Sequence, residues 1–90
     1  MGSNDVGRGA AVTNRTAQSE ALFASLLPSS VTPDLCAVTA AIRWAICEYH
    51  GISGCAAEMA AAYGKDPETA AARMHWARQV VLSMFPEELR

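Results

Sequence analysis

The run Glu58-Met59-Ala60-Ala61-Ala62-Tyr63-Gly64-Lys65-Asp66-Pro67-Glu68-Thr69, continued by Ala70-Ala71-Ala72-Arg73-Met74-His75-Trp76-Ala77-Arg78, reads as a helix, a turn and a second helix. A helix-turn-helix needs a small residue where its helices cross and a glycine four residues on for a left-handed turn, and Ala60 and Gly64 meet both demands. Asp66 is then an N-cap, Pro67 occupies the first helical position where its missing N–H is harmless, and Glu68 suits the positive end of the helix dipole. The helix opened there is predicted to run to Phe85-Pro86 and to bury Ala70, Met74, Ala77, Val81 and Met84 or Phe85.

Upstream, Ser53 is read as the cap of a short helix through Cys55, Ala56, Met59, Ala60 and Tyr63. Before it, Thr32 as N-cap, Pro33 at the first helical position and Asp34 open a longer helix that Gly51 ends. Its stripe of Leu35, Val38, Ile42, Ala45, Ile46 and Tyr49 has helical spacing, yet Cys36, Ala37, Ala40, Ala41, Trp44 and Cys47 make the other side apolar as well. Such a helix is either central to its domain or covered by a partner. From Ala17, the residues Leu22, Phe23, Leu26 and Leu27 predict a first helix stopped by Pro28-Ser29-Ser30. Residues 1–16, with Gly2, Gly7 and Gly9 among polar neighbours, read as a disordered arm. The expected architecture is all-α: one small bundle of about four helices over 17–90, containing a helix-turn-helix, behind the flexible arm 1–16.

The 90 residues suffice for one hydrophobic core, and with 51 % hydrophobic content dominated by alanine they favour closely packed helices. The net charge of −2 and pI of 5.5 exclude long-range attraction to phosphate backbones or anionic membranes, so nucleic-acid binding requires a local basic face. No apolar run reaches the ~20 residues of a membrane span, and Val6 stands where a myristoylation signal beginning at Gly2 needs Ser or Thr. Three cysteines without framework spacing suit reduced thiols. A cytoplasmic protein without membrane partner or disulfide is expected.

On Glu58-Met59-Ala60, Gly64, Thr69 and the run Arg73-Met74-His75-Trp76-Ala77-Arg78, the segment from Ile52 to about Val81 resembles the helix-turn-helix of bacterial transcription regulators. The resemblance is nearest to the C-terminal promoter-reading region of extracytoplasmic-function sigma factors, whose Arg-Leu-His-Arg-Ala-Arg ending the last run is similar to. It implies a bacterial DNA-associated regulator meeting double-stranded DNA through Lys65, Thr69, Arg73 and Arg78, with Arg8 and Arg15 on the arm. The chain departs from the family pattern where Lys65 replaces an apolar turn residue, Ala70 a valine, and Trp76 an arginine. Ala71 and Ala72 stand where polar or basic side chains usually face DNA. A complete sigma factor also has a polymerase-engaging domain, for which these residues leave no room.

The competing reading is a non-enzymatic helical protein-interaction module, homodimeric or bound to another protein, that kept the scaffold and lost the basic surface. The acidic pI and the two-sided second helix favour it, with Trp44 and Trp76 as the candidate interface side chains. Zinc is not expected: Cys47, His50, Cys55 and His75 are suitable residue types, but no Cys-x-x-Cys pair exists. Cys36 and Cys47, eleven residues apart on one helix, stand about 16 Å apart at ~1.5 Å per residue. Neither His50 nor His75 lies beside a nucleophile motif and no phosphate loop is present, so neither an enzyme nor a cofactor is expected. A positive face around Arg73 and Arg78 is the property that separates the two functional readings.

Overall fold

Asn14 opens the first helix, its side-chain oxygen accepting from the N–H groups of Thr16 and Ala17 at 2.7 and 3.2 Å. The computed structural model describes residues 14–85, and α1 occupies Arg15–Ala24 within them. The predicted arm therefore lies outside the described residues except for Asn14, Arg15 and Thr16, which are the cap and first turn of α1. The helix also ends early, at Ser25, leaving Leu26 75 % exposed. The Ser25 hydroxyl donates to the Leu22 carbonyl and accepts from the Leu27 N–H, a local alternative to another helical turn.

Helix α2, Leu35–Glu48, is capped by Asp34 rather than Thr32, with the Asp34 carboxylate accepting from Ala37 N–H at 2.8 Å. Pro33 thus precedes the cap instead of following it. Leu35, expected in the buried stripe, is 53 % exposed, while Val38, Ile42 and Ala45 are buried. The end of α2 is a Schellman turn: Gly51 N–H donates to Ile46 O at 2.8 Å and His50 N–H to Cys47 O at 3.4 Å. His50, with φ 62°, takes the left-handed position, and Gly51 follows at φ 114°.

Gly51 also serves as the cap of α3, Ile52–Lys65, without any side-chain bond, so Ser53 lies inside the helix rather than before it. Gly64 is the larger correction. Among the described residues only His50 and Gly51 have positive φ, and α3 continues through Gly64 to Lys65. Asp66 alone separates α3 from α4, Pro67–Met84. Helix, turn and helix are present, but the turn is one extended residue, φ −151° and ψ 86°, where the motif ordinarily has a three- or four-residue turn. Ala60 and Gly64 are both exposed, so Ala60 does not mark a helix crossing.

Space around Gly64 is open, since a Cβ built there meets nothing within 4 Å. Gly64→Ala should therefore stabilise the domain by about 0.5–1 kcal/mol, the helix preference of alanine over glycine. Urea unfolding followed by circular dichroism measures this, and a loss of stability would instead require a left-handed Gly64.

Helix α4 matches its sequence reading closely. Asp66 caps it, Pro67 is its first residue, and Ala70, Met74, Ala77 and Val81 are its buried residues. The core joins these to Ala21, Leu22 and Phe23 of α1, Val38, Ile42 and Ala45 of α2, and Cys55 of α3. Helix α1 packs against all three others. The central element is thus the short first helix, not the strongly apolar α2. Among the described residues no strand is present, and no helix is long and apolar enough to cross a membrane.

Candidate functional site

The four residues expected to face DNA are dispersed. Lys65 is the exposed last residue of α3. Thr69 is exposed, but its hydroxyl donates to Asp66 Oδ2 at 2.8 Å and its N–H to Asp66 Oδ1 at 3.3 Å, completing the α4 cap. These bonds hold the Asp66 carboxyl below its ordinary value.

Arg73 is turned into the protein. Its Nε donates to Phe23 O at 2.8 Å, Nη2 to Ser25 O at 2.9 Å and Leu22 O at 3.4 Å, and Nη1 to Ser29 Oγ at 2.8 Å. The guanidinium also lies 5.0 Å from the Trp76 ring centroid and 5.8 Å from that of Phe23. Burial lowers its pKa from the usual arginine range, with no carboxylate among the causes. It binds the carbonyl end of α1, which has no basic residue in its own last turn.

Arg78 is exposed and belongs to a different face, since five residues rotate a helix by about 140°. The Arg73 and Arg78 side chains therefore flank the buried stripe of α4 on opposite sides. Between them the outward row contains Glu68, Ala72, His75 and Gln79, all exposed, with one acid and no Lys or Arg. At the α3–α4 corner, a groove of about 330 Å³ has Lys65 and Arg73 on its wall together with Glu58 and Asp66. Charges of both signs meet there.

The two tryptophans also differ. Trp76 is half-buried, packed against the core and covered by Arg73, which suits a structural side chain. Trp44 is 36 % exposed on α2, its ring edge-on to Tyr49 at 6.0 Å and 88°. It shares the outward face of α2 with Cys36, Ala40, Arg43 and Cys47, all exposed. That face corresponds to the second apolar side legible in the sequence, except that Ala37 and Ala41 are half-buried. Its charges are Arg43 and, at the C-terminal end of the row, the exposed Glu48.

Chemistry at the thiols and imidazoles has little to build on. Cys55 is fully buried, and burial, Glu20 and Glu58 push its pKa up, away from the reactive thiolate. Cys36 and Cys47 are exposed on one face of α2 but about three turns apart, and His50 and His75 are exposed on a turn and on α4. Among the described residues no three His, Cys, Asp or Glu side chains converge as metal ligands. Comparison with protein-family models, with characterised proteins and with solved structures finds no match to this chain.

Proposed function

We propose that this chain is a non-enzymatic helical protein-interaction module whose docking surface is the outward face of α2. The observation that supports it is the exposed row Cys36, Ala40, Trp44 and Cys47, interrupted by Arg43 and bounded by Glu48 at the helix end. A helix in water normally sets polar residues opposite its core stripe, and an exposed tryptophan amid small apolar side chains is the composition of an interface anchor. DNA binding fits less well, because Arg73 is committed to α1 and Arg78 stands apart from it.

The partner favoured is a second copy of the chain, paired antiparallel through α2. A two-fold axis near Ile42 places Trp44 of each copy over Ala40 of the other, a large side chain against a small one in both directions. The same axis brings Cys36 of one protomer level with Cys47 of its partner to within about one residue's rise, ~1.5 Å. Sedimentation equilibrium under reducing conditions should show reversible dimers that Trp44→Glu dissociates, and mild oxidation should trap wild-type dimers but not the Cys36→Ser, Cys47→Ser variant. A chain that remains monomeric at several hundred micromolar overturns self-pairing, and a dimer indifferent to Trp44→Glu overturns the α2 face. Salt-sensitive anisotropy with double-stranded DNA at low ionic strength would return the argument to the helix-turn-helix reading.

A further inference from the structure

A second feature, remote from the outward face of α2, is a cavity of about 260 Å³ between α1, α3 and α4. Two rows of residues form its long walls. From α1 come the i, i+4 pairs Arg15 with Ser19 and Thr16 with Glu20, and from α4 come Met74 and Arg78, followed one turn on by Val81 and Leu82. Met59 of α3 also lines it.

Met59, Met74, Val81 and Leu82 give the interior no fixed hydrogen-bonding group, so a water there has few partners among them. Methionine is the side chain best able to adapt to an apolar guest, because its thioether stem is unbranched and soft. The polar wall carries two guanidinium groups, Arg15 and Arg78, against the single carboxylate of Glu20, which leaves one net positive charge. Arg15 is engaged within the protein, so the charge available to a guest is chiefly that of exposed Arg78. Ser19, 5 % exposed, adds a hydroxyl to the wall. The end of α1 is not itself the anion site, since Asn14 already takes the N–H groups of Thr16 and Ala17.

We infer that this cavity binds a small amphiphilic carboxylate, its apolar chain against the two methionines and its carboxylate on Arg78. A cavity of ~150 Å³ accommodates benzene, so this one has room for roughly ten non-hydrogen atoms, the size of a medium-chain fatty acid. Charge selects the head group and the apolar floor selects the tail.

Sodium octanoate, octan-1-ol and octylamine are the probes, read by the ¹³C-methyl resonances of methionine in the full chain. Octanoate should move the Met59 and Met74 methyls saturably while leaving Met84, which does not line the cavity, unmoved. Octanol should bind about fivefold more weakly and octylamine more weakly still, with added salt reducing the octanoate response. Arg78→Gln, at an exposed position, should keep the methyl dispersion of the folded chain and weaken octanoate about fivefold. Equal affinity for octanol and octanoate, or unchanged octanoate binding by Arg78→Gln, overturns the carboxylate assignment. Absence of saturable movement with every probe overturns the site.

Discussion

Arg73→Ala is expected to lower the unfolding free energy by about 2–4 kcal/mol, because it removes a cation that four hydrogen bonds tie to α1 and the following turn. Three of the acceptors are backbone carbonyls at the end of α1; Leu22 O is held by the Ser25 N–H and hydroxyl as well, so the carbonyls of Phe23 and Ser25 are the ones that depend on Arg73. Removing the guanidinium leaves part-buried acceptors without their donor and uncovers one face of Trp76. A domain of this size has a stability of only about 5–15 kcal/mol, so the loss is a large fraction of the total. Arg73→Lys keeps the charge but replaces a planar fork by a single ammonium that cannot span Phe23, Ser25 and Ser29, and should recover a minor part. Urea unfolding of the three proteins measures both effects. A change within about 0.5 kcal/mol for Arg73→Ala, the usual result for a surface side chain, would mean that Arg73 faces solvent as the regulator resemblance implies.

The expected destabilisation has its physical origin in the shortness of α1. Ten residues fall below the length at which an isolated helix is stable in water, so α1 depends on what it packs against and on how its ends are satisfied. Asn14 satisfies one end from the adjoining sequence. The other is satisfied by Ser25 at Leu22 O and, for Phe23 O, from α4 across the fifty residues between Phe23 and Arg73. Through this bond the hub of the bundle and its longest helix support each other.

That long-range bond explains why the reading of the fourth helix succeeded for its backbone and missed its most informative side chain. Asp66-Pro67-Glu68 and the steps from Ala70 to Val81 are local signals, and each element they predict is present. Arg73 lies beside the buried stripe rather than on it, so spacing alone leaves it on the solvent boundary; only the folded chain brings the Phe23 and Ser25 carbonyls within its reach. The resemblance to a regulator then supplied a nucleic-acid role for a cation that the structure uses as a cap. Thr32 and Asp34 are both good caps two residues apart, and the choice falls to Asp34, whose carboxylate reaches the Ala37 N–H. The two apolar sides of α2 were legible too, but not which element would be central, because α1 has fewer large apolar residues and still touches every other helix.

Glycine shows the same difficulty in a sharper form: the sequence marks Gly64 as the turn and gives no sign of Gly54, and the structure reverses their importance. An ideal Cβ on Gly54 would lie 1.7 Å from the Tyr49 carbonyl oxygen and 2.8 Å from its carbonyl carbon. Both atoms are backbone, so no side-chain rotation relieves the contact. Tyr49 is moreover the C-cap of α2, whose following residues His50 and Gly51 form the left-handed Schellman turn into α3. Moving its carbonyl therefore displaces the corner that sets α3 against α2. Gly54→Ala gains the helix preference of alanine, about 1 kcal/mol, but meets an overpacking penalty at or above the upper end of the ~1–3 kcal/mol range, since a backbone must yield. The net expectation is a loss of about 2 kcal/mol or more, opposite in sign to the same substitution at Gly64 ten residues later. Thermal unfolding of the two variants side by side tests the placement of the corner with helix propensity held common to both. A Gly54→Ala protein as stable as Gly64→Ala would show that α3 does not approach the end of α2 as described, and with it that the outward face assigned to α2 is wrongly drawn.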